Sequence, residues 1–198
     1  MFVKLSQSEY RKCVVYATDV IGTVNYLKHR EQFDKKKILK DHLIGKMAES
    51  GVCKWLKKNK IKIISGADYK IYGRGKKSFN HDLTIDYKNT AQKVMVKSRP
   101  ILSKYPPSWI FQYNRKKKSG HYDKETFGAA RDDNSLIFFC DVDIDNLIIY
   151  IRFICKLELL HTNKLFKNPM LKHLRKYKRC VYARDLRKFS ESLLDLKN

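Results

Sequence analysis

A chain of 198 residues with 43 Lys plus Arg against 20 Asp plus Glu carries a formal charge of +23, while 43% of its residues are hydrophobic. That apolar content excludes intrinsic disorder over most of the chain, and no run approaches the ~18 uncharged apolar residues of a membrane-spanning helix. So large an excess of one sign favours a polyanionic partner, with nucleic acid ahead of an anionic membrane surface, because each neutralised phosphate releases condensed counterions.

The opening Met1-Phe2-Val3-Lys4-Leu5-Ser6 has neither the apolar run nor the cleavage site of a secretory signal, so an intracellular location, cytoplasm or nucleoid, is expected. Residues 8–30 carry Val14, Val15, Val20, Ile21, Val24 and Leu27, a pattern of moderate helical character. From Lys36 to Lys58 the apolar positions Leu39, Leu43, Ile44, Met47, Ala48, Val52, Trp55 and Leu56 recur at three- and four-residue steps, which predicts an amphipathic helix stopping near Asn59. The period then shortens. Ile61, Ile63 and Ile64 begin a strand, and Tyr69-Lys70-Ile71-Tyr72 reads as a second. Leu83-Thr84-Ile85-Asp86-Tyr87 and Lys93-Val94-Met95-Val96-Lys97-Ser98, joined through 88–92, read as an antiparallel hairpin.

Residues 112–135 form a polar loop. A buried strand follows at Leu136-Ile137-Phe138-Phe139-Cys140-Asp141-Val142-Asp143-Ile144, and 147–160 is apolar enough for either a strand or a buried helix. Between Lys164 and Lys188 stand ten Lys or Arg and one acid, Asp185, a composition that predicts basic helices. The expectation is one domain over 1–198: an α/β (α+β) fold with a mixed central sheet flanked by helices, its core at about 36–160, and a basic helical C-terminal extension at about 164–198. Cys13, Cys53, Cys140, Cys155 and Cys180 include no C-x-x-C pair and read as reduced core thiols.

Phosphodiester hydrolysis needs carboxylates for a hard cation such as Mg²⁺, and a group that positions or deprotonates water. Glu49 lies at the margin of the helical stripe. Asp82, in Asn80-His81-Asp82, opens one hairpin strand and shares a face with Asp86, and Lys97 stands on the other strand. This order of helix glutamate, strand aspartate and strand lysine, over residues 39–99, resembles the PD-(D/E)XK or restriction-endonuclease-like nucleases. The resemblance implies a nuclease core in which Asp82 and Glu49 bind Mg²⁺, with Mn²⁺ as a substitute, and Lys97 sits by the attacking water. Where the family has a second acid two residues before the lysine, this chain has Met95. Asp86 is then the first replacement ligand, ahead of Glu49 moving into that role and of Gln92.

A rival metal cluster, Asp141, Asp143 and Asp145, lacks the glycine and distal glutamate of a calcium loop and reads as a solvated strand face. Trp109 reads as core. Arg74, Lys76, Lys77, His81, Arg115, Lys116, Lys117 and Lys118 are the candidate nucleic-acid contacts. The leading expectation is a metal-dependent DNA endonuclease, type II restriction-like, acting on double-stranded DNA as a homodimer. The alternative is a catalytically degenerate nuclease fold that only binds nucleic acid.

Overall fold

The computed structural model describes residues 1–23, 34–72, 82–103, 105–113, 124–128 and 131–189. A six-stranded mixed sheet runs in the order β1 (Phe2–Lys4), β7 (Ile148–Lys156), β6 (Leu136–Asp143), β4 (Thr90–Pro100), β3 (Leu83–Tyr87), β2 (Ile63–Ser65). Every pairing is antiparallel except β4 with β6, which is parallel and therefore needs a crossover. The crossover contains β5 (Ser108–Gln112) and a four-residue helix, α3 (Lys124–Phe127).

Strand alternation gives this sheet two different faces. Leu83, Ile85, Val94, Val96, Phe138 and Cys140 point to one side, where they pack against α2 (Lys35–Lys58). Met47, Ala48, Val52 and Leu56 of that helix are fully buried, as the helical spacing predicts. Asp34 caps its start by accepting from Lys37 N at 3.1 Å, and Asn59 ends it, its side-chain amide donating to the Trp55 carbonyl at 2.8 Å. α1 (Gln7–Thr23) lies against α2 and buries Cys13 and Ala17.

Met95, Ile137, Phe139 and Cys155 point to the opposite side. A second, two-stranded sheet covers them, formed by β5 and β8 (Lys178–Tyr182), together with α4 (Leu157–Thr162). Trp109 is buried here, 5.0 Å from Phe139 between ring centroids, and its indole N–H donates to the Cys140 carbonyl at 2.9 Å. The result is three layers: helices, six-stranded sheet, small sheet.

Three sequence expectations are corrected. The segment 164–188 is not a set of basic helices. Its alternating Arg179-Cys180-Val181-Tyr182 run pairs with β5, leaving a short 3-10 turn at Lys172–Leu174 and a four-residue helix, α5 (Ala183–Leu186). Residues 69–72 join no ladder among the described residues; the Tyr69 hydroxyl bonds Ser50 and the Tyr72 hydroxyl donates to Asp68. The hairpin loop is tighter than predicted. Lys88 and Asn89 alone turn the chain, with φ of 52° and 60°, the doubly left-handed pattern of a type I′ turn. The cysteines are all free, four of them buried. No helix among the described residues is long and apolar enough to cross a membrane.

Candidate functional site

The middle of α2 is pressed onto the sheet at Gly51, where an added Cβ would lie 2.8 Å from Ile149 Cγ1 on β7. Two residues earlier the helix carries Glu49, and one turn before that Lys46, so both leave the same flank. Lys46 Nζ lies 2.5 Å from Glu49 Oε2, with the side chains 6% and 17% exposed. The ammonium also donates to the Asp68 carbonyl at 2.7 Å and stands 4.3 Å from the Tyr16 ring centroid. Tyr69 closes the other side, 5.4 Å away. Its hydroxyl shares a 2.5 Å hydrogen bond with Ser50 Oγ, which donates back to the Lys46 carbonyl.

Asp82 reaches this cluster from the sheet. It occupies the bend before β3, and its Oδ2 accepts from the Val96 amide of β4 at 2.7 Å. Its negative charge acts on Glu49, Lys46 and Tyr16 together. Burial pushes the Glu49 carboxyl up to about 7, Asp82 adds to that rise, and the attraction of Lys46 only partly offsets it. Burial works against the charge of Lys46, but Glu49 more than compensates and holds the ammonium above its ordinary value. Burial raises the Tyr16 phenol as well. Thus a helix carboxyl, a strand carboxylate and a buried ammonium act on one another at a single junction.

Of the predicted site residues, Glu49 and Asp82 are the pair that act electrostatically on one another. Lys97 follows the Val96 amide that anchors Asp82, and it leaves β4 on the opposite face from Val96, with its Nζ 4.7 Å from the Phe111 ring centroid. Asp86 does not join the cluster. It lies four residues along β3 from Asp82, about 13 Å at strand rise, and pairs with Lys62 Nζ at 3.3 Å. Gln92 bonds the Asn134 carbonyl beyond the hairpin. Met95 is 6% exposed inside the second core, with Thr126 Oγ1 3.8 Å from its sulfur. Arg74, Lys76, Lys77, His81, Arg115, Lys116, Lys117 and Lys118 lie outside the described residues.

Sequence reasoning passed over Lys46, Tyr16 and Tyr69. The available signal was Lys46 itself, a lysine beside the apolar stripe with a glutamate three residues on. Asp141 is also corrected. It is not on a solvated face but is buried, 2.6 Å from Arg99 Nε and 2.8 Å from Arg152 Nε. Asp143 is half-buried and accepts from Asn146.

Glu49 Oε2 and the Asp68 carbonyl are both turned to the Lys46 ammonium, and Asp82 Oδ2 to the Val96 amide. No cluster of three or more His, Cys, Asp or Glu side chains occurs among the described residues. No protein-family model, curated protein or solved structure matches the chain.

Proposed function

We propose that this protein is a metal-dependent nucleic-acid phosphodiesterase of restriction-endonuclease-like design, acting on double-stranded DNA. One observation carries the reading: the charge of Asp82, anchored on the Val96 amide, acts on the buried Glu49 carboxyl from the helix, in a chain of charge +23. Glu49 and Asp82 would hold Mg²⁺, or Mn²⁺ in its place. When bound, such a cation neutralises charge developing on phosphoryl oxygens and acidifies its water. Lys46 holds the Glu49 carboxyl in one orientation and adds a fixed positive charge at the junction. Lys97, the lysine of the resembled nuclease pattern, leaves β4 on the face away from α2 and is assigned no part at this junction.

The test is cleavage of supercoiled plasmid with Mg²⁺ or Mn²⁺ and with EDTA. Asp82→Asn and Glu49→Gln are each expected to lower cleavage by about a hundredfold or more. Absence of cutting with every divalent metal, or cutting by both variants at the parent rate, overturns the proposal.

A second reading is favoured by the burial of Met95, which leaves the family's second-acid position apolar. On that reading the same fold binds nucleic acid without cutting it. Cation uptake measured by Mn²⁺ paramagnetic resonance separates the two: the binder takes up none that depends on Asp82.

A further inference from the structure

The small sheet carries a concentration of charge that the carboxylate pair does not use. Between Lys164 and Lys188 ten cations face one acid, Asp185, which lies 3.9 Å from Arg184. Lys164, Lys167, Lys172, Arg175 and Lys176 are exposed. Such a run is often only a solvated surface, but here two features argue for more.

The first is that the cations share one side of the large sheet. The Lys97 ammonium leaves β4 away from α2 and lies over Phe111 of β5. Phe111 is the cross-strand partner of Arg179 on β8. The Arg179 guanidinium stands 3.9 Å from the Tyr113 ring centroid and donates to the Arg175 carbonyl at 2.7 Å. Lys97, Arg179 and the turn at 172–176 therefore stand together on the small-sheet side. The second feature is that this turn is held in place. Leu174 and Tyr177 amides donate to the Leu171 and Leu174 carbonyls, and Arg175 Nε donates to the Pro169 carbonyl at 3.1 Å. Its charges are presented by ordered backbone, so less freedom is lost when a ligand meets them.

We propose that the β5–β8 sheet and the 172–176 turn form a phosphate track that holds the backbone of a nucleic acid on the side of the large sheet away from α2. This rests on the nucleic-acid reading above and adds the surface. The track reads phosphates and not bases, since its contacts are point charges without a groove-reading element.

The test is fluorescence anisotropy of the full chain with a labelled 20-base-pair duplex in EDTA, titrated over a range of salt. A Lys167→Ser/Lys172→Ser/Lys176→Ser variant changes only exposed side chains and leaves the Arg175–Pro169 hydrogen bond in place. A Lys36→Ser/Lys37→Ser/Lys40→Ser variant removes the same charge from the exposed side of α2. If three phosphates are contacted by the track, the first variant lowers the log–log salt slope by about 2.7 and the affinity at 0.1 M salt by about a hundredfold. The α2 variant is expected to leave the slope unchanged. Equal losses in both variants would mean diffuse attraction and overturn the track, as would no loss in either. Loss of binding to anionic phosphatidylserine vesicles with duplex binding intact would assign the surface to membranes and overturn it too. A protein that binds through the track but never cuts DNA retains this inference and loses the hydrolase.

Discussion

Gly45 and Gly51 allow one chemical change to be made twice on α2 with opposite expected outcomes. Replacing either by Ala removes the entropic cost of a mid-helix glycine, about 1 kcal/mol. At Gly45 the new methyl meets nothing within 4 Å, so that gain stands. At Gly51 it would lie 2.8 Å from Ile149 Cγ1 and 2.9 Å from Ile149 Cβ. Ile149 is fully buried and paired with Val3 on one side and Val142 on the other, so it has nowhere to retreat. Overpacking of this kind costs about 1–3 kcal/mol and more where the obstacle is a Cβ atom, so the net effect of Gly51→Ala is a loss of ~1–2 kcal/mol. In a domain of this size each kcal/mol moves the Tm by about 2–4 °C, which places the two variants roughly 4–12 °C apart on either side of the parent. Thermal unfolding followed by circular dichroism at 222 nm measures this directly. If both variants shift the Tm in the same direction by similar amounts, the close helix–sheet approach at Gly51 is wrong, and with it the support for the position of Glu49.

Glu49 titrates higher in the folded chain than the ordinary 4.5, up to about 7, so the native state binds the extra proton and its stability falls as pH rises between those values. Urea midpoints between pH 5 and 8 should decline in the parent and lose much of that slope in Glu49→Gln, whatever the variant's absolute stability. Asp141→Asn leaves Arg99 and Arg152 without their carboxylate and is expected to cost about 3–5 kcal/mol in urea unfolding, part of it recovered by adding Arg99→Met. Met95→Glu supplies the acid that the resembled nuclease pattern carries there but sets it in an apolar cluster with Trp109 and Phe139. The expected result is ~2 kcal/mol or more of lost stability by chemical denaturation and no gain in plasmid cleavage; a variant both as stable as the parent and more active refutes the packing described for Met95.

Much of the first core was legible because its signals are local. The stripe from Leu39 to Leu56 and the Asn59 stop define α2, and the Leu83–Tyr87 and Val94–Val96 alternation defines the hairpin, without reference to any distant residue. What was missed depends on partners far along the chain. Asp141 looks solvated until Arg99, 42 residues before it, and Arg152, 11 after, are brought alongside. Residues 178–182 look like more basic tail until β5 offers them a ladder, and β1 is too short for its alternation to register. The same division holds at the site. The order of Glu49, Asp82 and Lys97 was readable, but the pairing of Lys46 with the Asp68 carbonyl and two tyrosine rings was not, because those groups come from three separate segments.

Strand β1 lies at the edge of the large sheet against β7, and the Met1 ammonium donates to the Ile151 carbonyl 150 positions away at 3.4 Å. At ribosomal speeds of about 5–20 residues per second, Val3 and Leu5 must wait on the order of ten seconds after they emerge before their docking strand exists. Throughout that interval the nascent polypeptide displays an unsatisfied β-segment and a half-covered α2. Chaperone dependence during synthesis is therefore a natural burden of this topology, and a bulky tag fused ahead of Met1 would act on the last step of sheet closure, not on its beginning.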